Sequence, residues 1–180
     1  MKKIVMTLVA MIATATMNAQ DMYVGGTAGL STDGNNNRDL YIAPEWGMKL
    51  DDKLGFGLRL NYGYGKEENV FGTTSTTDIT VNPYLRYDFA QIGKLKVFVD
   101  GGVYFGTSKT DDFDANNNFG LNVVPGVAYN ITDNWSIVAL ANNVFSWNIA
   151  APAHSHCRHD ISLLEDFGIN TFRFGFFYNF

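Results

Sequence analysis

The residues best suited to chemistry in this chain of 180 residues are three histidines and one cysteine in a single segment. That segment reads His154-Ser155-His156-Cys157-Arg158-His159-Asp160. Imidazole and thiolate are good ligands for zinc or copper, and His154 and His156 share a face if the chain is extended. The segment therefore offers a metal site formed by His154, His156, Cys157 and His159. Arg158 in its middle favours the alternative, a solvated loop without metal.

Two other patterns point less directly to chemistry. Asp112, Asp114 and Asn116 have the first spacings of a calcium loop, but the glycine and the final glutamate of that motif are missing. His154, Ser155 and Glu165 offer a histidine, a serine and an acidic residue for an enzyme, although no spacing forces a contact between nucleophile and base. The sequence therefore predicts a protein that is not an enzyme and needs no cofactor.

The first residues have the features of a signal peptide. Lys2 and Lys3 precede an uncharged run from Ile4 to Ala19 that ends in small residues. Cleavage after Ala19 would leave residues 20–180 as one domain. Without the two lysines the formal net charge falls from −5 to −7, which argues against a nucleic-acid partner.

Alternation of apolar and polar residues dominates the chain from Met22 onward and predicts β-strands. It is clearest over 40–50, 54–65, 78–89 and 172–180. Weaker alternation predicts four further strands near 22–31, 95–107, 119–131 and 135–147. The last is the least regular, because Val138, Leu140 and Val144 fall on its otherwise polar face. Eight strands of this length, tilted by about 40°, would cover the hydrocarbon core of a membrane.

The predicted connections alternate between short and long. Those after strands two, four and six cover only 51–53, 90–94 and 132–134. The connections after strands one, three, five and seven are longer and polar, near 32–39, 66–77, 108–118 and 148–168. Short turns on one rim and long loops on the other are typical of outer-membrane barrels.

The alternative is a soluble, lipocalin-like barrel with the apolar face inside. The polar face here is rich in Gly, Asn, Thr and Tyr and has few charges, which suits a barrel interior better than a water-exposed surface. The sequence thus favours an all-β, eight-stranded, antiparallel, up-and-down transmembrane β-barrel.

Charged residues on the polar face fall opposite one another in the predicted registers. A symmetric turn at 51–53 pairs Glu45 with Arg59. The same construction around 90–94 pairs Asp88 with Lys96 and leaves Asp100 diagonal to Arg86. With Arg173 nearby, these residues predict an interior network that closes the lumen, helped by Tyr84, Phe98, Tyr104 and Phe177. A gated pore is the functional alternative.

The last strand carries the most specific family feature. Phe172, Phe174, Phe176, Tyr178 and Phe180 alternate along it to the end of the chain. Together with the predicted signal peptide, eight strands and short turns, this ending resembles the small outer-membrane barrels of the OmpX and OmpA-barrel type, often labelled porin-like. The resemblance implies that Phe176, Tyr178 and Phe180 form the signal that the barrel-assembly machinery reads during insertion.

The resulting prediction is a non-enzymatic protein of the outer membrane, in contact with its lipid and lipopolysaccharide. Its exterior loops would serve envelope integrity, surface interaction or adhesion, with a possible extracellular ligand. A narrow pore for small solutes is the first alternative, and a barrel enzyme that modifies lipid A through His154, Ser155 and Glu165 is the second.

Overall fold

The structure, a computed structural model, describes residues 22–32, 38–69, 72–110, 115–151, 158–163 and 172–180. Ten strand segments form one antiparallel sheet in this part of the chain: β1 (Met22–Thr32), β2 (Arg38–Lys49), β3 (Leu54–Asn69), β4 (Gly72–Ile92), β5 (Leu95–Thr110), β6 (Asn116–Asn130), β7 (Trp135–Leu140), β8 (Phe145–Ala151), β9 (Arg158–Leu163) and β10 (Arg173–Asn179). This part of the chain contains no helix that is long and apolar enough to cross a membrane.

The sheet closes into a barrel. Strands β1 to β6 pair in chain order, β6 pairs with β7, and β10 pairs with both β7 and β1. Segments β7 and β8 share the seventh position of the wall, and β9 and β10 belong to the eighth. The predicted eight-stranded antiparallel barrel is therefore confirmed. Closure provides partners for strands that would otherwise be sheet edges.

Apolar side chains cover the outside of the wall. Phe174 and Phe176 are each 59% exposed, whereas Phe177 between them and the chain end is only 3% exposed. Leu60, Leu85 and other large apolar residues point outward in the same way on the remaining strands. This is the reverse of the arrangement that a soluble barrel requires, so the lipocalin-like alternative is wrong.

The turn between β2 and β3 is held by the carboxylate of Asp51. Its Oδ1 accepts hydrogen bonds from the backbone N–H groups of Lys53 (2.8 Å) and Leu54 (2.7 Å). These two hydrogen bonds lower the pKa of Asp51 below its ordinary value. Asp51 lies in solvent outside the strands, so its carboxylate stabilises only the local turn.

Protonating Asp51 should loosen this turn. The pKa of Asp51 is lower in the folded protein than in the unfolded chain. The stabilisation of the turn by the Asp51 carboxylate is therefore complete above about pH 4 and is lost as the pH falls through the folded-state pKa. We expect the Leu54 amide to exchange faster with solvent below that pH, and Asp51→Ala to produce the same fast exchange at neutral pH after correction for intrinsic rates. Amide exchange by NMR tests both, and Asp52→Ala, one residue along the turn, is the control. Unchanged Leu54 protection in Asp51→Ala would contradict this role.

Several strands extend further than predicted. The segment 66–77 was expected to be a loop, but β3 and β4 pair up to Asn69 and Gly72. The segment 108–118 likewise lies partly in β5 and β6, and 148–168 contains the end of β8 and all of β9. The prediction followed apolar alternation, which marks only the lipid-facing part of a strand. Backbone pairing continues beyond it because the ladder does not need apolar side chains, and the Thr-rich start of β4 favours extended structure.

The seventh strand is interrupted. Leu140 pairs with Gly126 and Phe145 with Val123, so the four residues 141–144 face only two residues of β6. This bulge corrects the prediction of one continuous strand over 135–147. It also orients two groups into the lumen, the carbonyl of Ala141 and the side chain of Asn143. Bulges commonly redirect groups in this way.

The strand registers also determine the stagger of the barrel. Stepping from each residue to its partner on the next strand leads from Arg173 through β1, β2 and β3 to Asp78 on β4. The residues on the way are Gly29, Tyr41 and Gly63. Stepping around the barrel in the opposite direction, through Leu140 on β7, Gly126 on β6 and Phe98 on β5, leads from Arg173 to Asp88, also on β4. The two end points are ten residues apart, which is the shear of the barrel. The position on β4 level with Arg173 therefore lies midway between them, near Pro83.

Candidate functional site

Four charged side chains meet at the middle of the lumen. They are Glu45 on β2, Arg59 on β3, Arg86 on β4 and Asp100 on β5, with exposures of 1% to 8%. Strand alternation turns all four inward, and the register places Glu45 opposite Arg59, as predicted. The two guanidinium groups and two carboxylates of this central network balance in charge.

Short contacts connect all four members of the central network. Nη2 of Arg59 donates to Glu45 Oε2 at 3.0 Å and to Asp100 Oδ2 at 2.8 Å. Arg86 binds Asp100 through two parallel hydrogen bonds, from Nε to Oδ1 at 2.7 Å and from Nη2 to Oδ2 at 2.9 Å. Nη2 of Arg86 also lies 3.8 Å from Glu45 Oε2. Two-point binding of this kind fixes the orientation of the guanidinium plane as well as its position.

Hydroxyl groups complete the coordination of Glu45. The hydroxyl of Tyr84 donates to Glu45 Oε2 at 2.9 Å, and that of Thr27 donates to Oε1 at 3.4 Å. The hydroxyls of Tyr84 and Tyr23 are 2.8 Å apart and share a hydrogen bond. The sequence motifs did not indicate Tyr23 and Thr27 as site residues. Both occupy alternate positions of β1 that face the lumen, and this alternation could have identified them. The buried carboxylate thus has neutral donors as well as its arginines.

An apolar cluster occupies the lumen beside the central network, toward the short turns. It contains Tyr23, Phe98, Val124, Ala128, Val138, Leu140 and Phe177. Val138 and Leu140 are fully buried, which explains why they interrupt the polar face of their strand. The guanidinium carbon of Arg86 lies 3.9 Å from the ring centre of Phe98, a cation–π contact between the two clusters. The sequence predicts a filled polar interior with Phe98 and Phe177 among its side chains, and in the structure these two belong to a half of the lumen that is mainly apolar.

The predicted pairing of Asp88 with Lys96 is wrong. Asp88 pairs with Phe98, and Lys96 pairs with Gln91. The hairpin turns at Gly93, whose φ of 59° suits glycine, and a bulge shifts the register between Asp88 and Ala90. Beyond the bulge, the turn and the bulge together shift the register between β4 and β5 by two residues. Because side chains alternate with a period of two, each side chain stays on its predicted face of the sheet but has a different partner.

The same shift brings Arg86 directly opposite Asp100 instead of diagonal to it. Asp88 and Lys96 both line a small cavity at the short-turn end of the lumen, of about 60 Å³. Among the described residues they form no ion pair with each other. Neither residue belongs to the central network.

Arg173 is also separate from the central network. Its Nη1 donates to the hydroxyl of Tyr41 at 2.7 Å, and its Nη2 donates to the carbonyl of Ala141 at 3.3 Å. Tyr41 in turn donates to Asn61 Oδ1. Arg173 lies on the long-connection side of the apolar cluster, because it starts β10 and the cluster residue of that strand, Phe177, lies further toward the short turns. The sequence correctly placed Arg173 in the lumen but assigned it the wrong neighbours.

A cavity of about 300 Å³ occupies the lumen on this side of the central network. We call it the outer vestibule. It is lined by Tyr41, Asn61, Gly63, Asp78, Thr80, Tyr104, Asn122, Asn143 and Arg173. At its inner end, Asn82 Nδ2 donates to Asn122 Oδ1 at 3.2 Å, and Asn122 Nδ2 donates to Asn143 Oδ1 at 3.4 Å. These amides cross the lumen above the central network.

The predicted metal ligands cannot be located. His154, His156 and Cys157 lie outside the described residues, as do Ser155 and Glu165 of the enzyme alternative and the calcium-type residues Asp112 and Asp114. The backbone of His159 lies in β9, opposite Ile149. Within the described ranges, no group of three or more His, Cys, Asp or Glu side chains could hold a metal ion.

The family model for the outer membrane protein beta-barrel domain matches residues 4–180. The chain belongs to this outer-membrane β-barrel family. The predicted fold, family resemblance and outer-membrane location are thereby confirmed. A search of curated protein sequences found no match.

Solved structures of two other proteins have the same fold. The crystal structure of neisserial surface protein A is 15% identical, with a TM-score of 0.53, and the alignment covers 88% of this chain and 95% of that one. The solution structure of outer membrane protein W from E. coli is also 15% identical, with a TM-score of 0.52 and coverages of 90% and 98%. At such identities the likeness shows the fold alone.

Proposed function

We propose that this protein is a non-conducting, non-enzymatic outer-membrane barrel whose long connections serve envelope integrity, surface interaction or adhesion. The observation that supports this proposal is the central network, which lies across the lumen beside a packed apolar cluster. Moving either arginine aside would leave buried charges without partners, which is costly. The exterior connections then remain as the sites of interaction with lipopolysaccharide or an extracellular ligand.

A planar-bilayer recording tests this proposal. We expect the folded protein to give no steady unitary conductance, whereas a known porin inserted into the same membrane does. Steady channels from the purified barrel would overturn the non-conducting assignment and favour a narrow pore. The protein for this recording should remain with membranes after carbonate washing and should migrate faster unheated than boiled.

We propose further that residues 1–19 are removed on export, and that Phe176, Tyr178 and Phe180 form the signal for the barrel-assembly machinery. Phe176 and Phe180 point outward from the closed barrel, with exposures of 59% and 53%, so neither is needed to fill the lumen. The intact mass of the membrane-extracted protein should correspond to a chain that begins at Gln20. A mass that retains Met1 would contradict the cleavage.

A further inference from the structure

The outer vestibule contains a guanidinium that no carboxylate neutralises within the described part of the chain. Arg59 and Arg86 share two carboxylates, but Arg173 donates only to the neutral oxygens of Tyr41 and Ala141. Its Nε is buried and has no acceptor there. Arg173 is half-buried, and a cation held only by neutral groups in a partly shielded cavity attracts an anion more strongly than a fully exposed cation does.

The rest of the vestibule offers hydrogen bonds. The amides of Asn61, Asn122 and Asn143 line the cavity together with the phenol groups of Tyr41 and Tyr104. Amide and hydroxyl groups both donate and accept, so they suit ligand hydroxyl groups. The volume of about 300 Å³ corresponds to roughly ten water molecules, enough for a short polyhydroxy chain.

Charge differs between the two ends of the vestibule. The position on β4 that is level with Arg173 is near Pro83, and Asp78 lies about five residues from it toward the long connections. Along the barrel axis this offset is about 12 Å. Among the described residues Asp78 has no hydrogen-bond or ion-pair partner. The inner end is therefore positive and the outer end negative, so the vestibule should favour a ligand with one negative end.

We propose that the outer vestibule binds an elongated, polyhydroxylated monocarboxylate. Its carboxylate binds Arg173, whose fork of N–H groups matches two carboxylate oxygens. Its hydroxylated chain lies along the amides of Asn61, Asn122 and Asn143. Its far end is uncharged, because a second carboxylate would approach Asp78.

Three probes of equal chain length test the proposal: D-gluconate with one carboxylate, D-sorbitol with none, and D-glucarate with two. They are titrated into the full mature barrel in detergent micelles, and the asparagine side-chain amides are followed by NMR. We expect gluconate to bind about tenfold more tightly than sorbitol, the size of one hydrogen-bonded charge contact. Glucarate should also bind more weakly than gluconate.

Variants assign each preference to a residue. Arg173→Gln should reduce gluconate binding to the level of sorbitol, and Asp78→Asn should bring glucarate close to gluconate. Lys96→Gln, at the opposite end of the lumen, is the matched control and should change neither preference. If Arg173→Gln does not fold, Arg173→Lys should keep a weaker preference for gluconate.

Three results would overturn the proposal: no saturable shift with gluconate, equal binding of gluconate and sorbitol, or an unchanged preference in a folded Arg173 variant. Enhanced binding of glucarate would contradict the role of Asp78. The bilayer recording does not depend on this titration. A conducting barrel could still bind gluconate, and a closed barrel could fail to bind it.

Discussion

Replacing Asp100 with alanine should lower the free energy of unfolding by about 3–5 kcal/mol, as expected when one partner of a buried ion pair is removed. Asp100 accepts hydrogen bonds from both Arg59 and Arg86. Without it, two buried guanidinium groups would share the single carboxylate of Glu45. Equilibrium unfolding in urea with lipid vesicles, followed by circular dichroism and by unheated gel migration, measures the loss.

Two further variants make this experiment specific to the buried charge. Asp52→Ala also removes an aspartate carboxylate, but from an exposed turn, and should change the free energy of unfolding by less than about 0.5 kcal/mol. Asp100→Asn keeps the shape of the side chain and part of its hydrogen bonding, so it should lie between Asp100→Ala and the native protein. A loss below about 1 kcal/mol in Asp100→Ala would mean that water compensates the arginines and that the lumen is not sealed there.

The second large effect is expected where the first and last strands meet. Gly175 on β10 approaches β1 so closely that a Cβ there would lie 2.1 Å from the backbone oxygen of Gly26. Backbone cannot rotate away as a side chain can, so Gly175→Val should force the two strands apart. We expect most of this variant to fail to close, seen as loss of the fast-migrating band in unheated gels and of resistance to protease.

Gly101→Val is the matched control for this experiment. It adds the same side chain to another strand of the barrel, at an exposed position where a Cβ would have no neighbour within 4 Å. Valine also has a higher strand propensity than glycine, so this variant should fold at least as well as the native protein. Equal folding of the two variants would show that β1 and β10 can separate without loss of the barrel.

The register predicted from sequence is correct for Glu45 and Arg59. For Arg86 and Asp100 the predicted register is two residues off, although both residues lie in the interior network as predicted. The two turns explain the difference. The turn after β2 is symmetric, so counting outward from it gives the correct register. The turn after β4 is centred on Gly93 and Lys94 and is preceded by a bulge between Asp88 and Ala90, and together they move the register by two residues. A bulge leaves little trace in apolar alternation when the faces are preserved.

The amino-acid sequence by itself determined the number of strands, the face that each side chain occupies and the rim on which each connection lies. These features follow from the two-residue period and from turn length, which are local properties of the chain. Only the tertiary structure decided which side chains meet inside the lumen when their strands are not neighbours in a hairpin. Arg59 reaches Asp100 two strands away, while Arg173 lies among Tyr41 and Ala141 instead of the central network. Such contacts depend on the shear of the closed barrel, which sums the registers and bulges of all eight strand positions, so no single segment of sequence contains them.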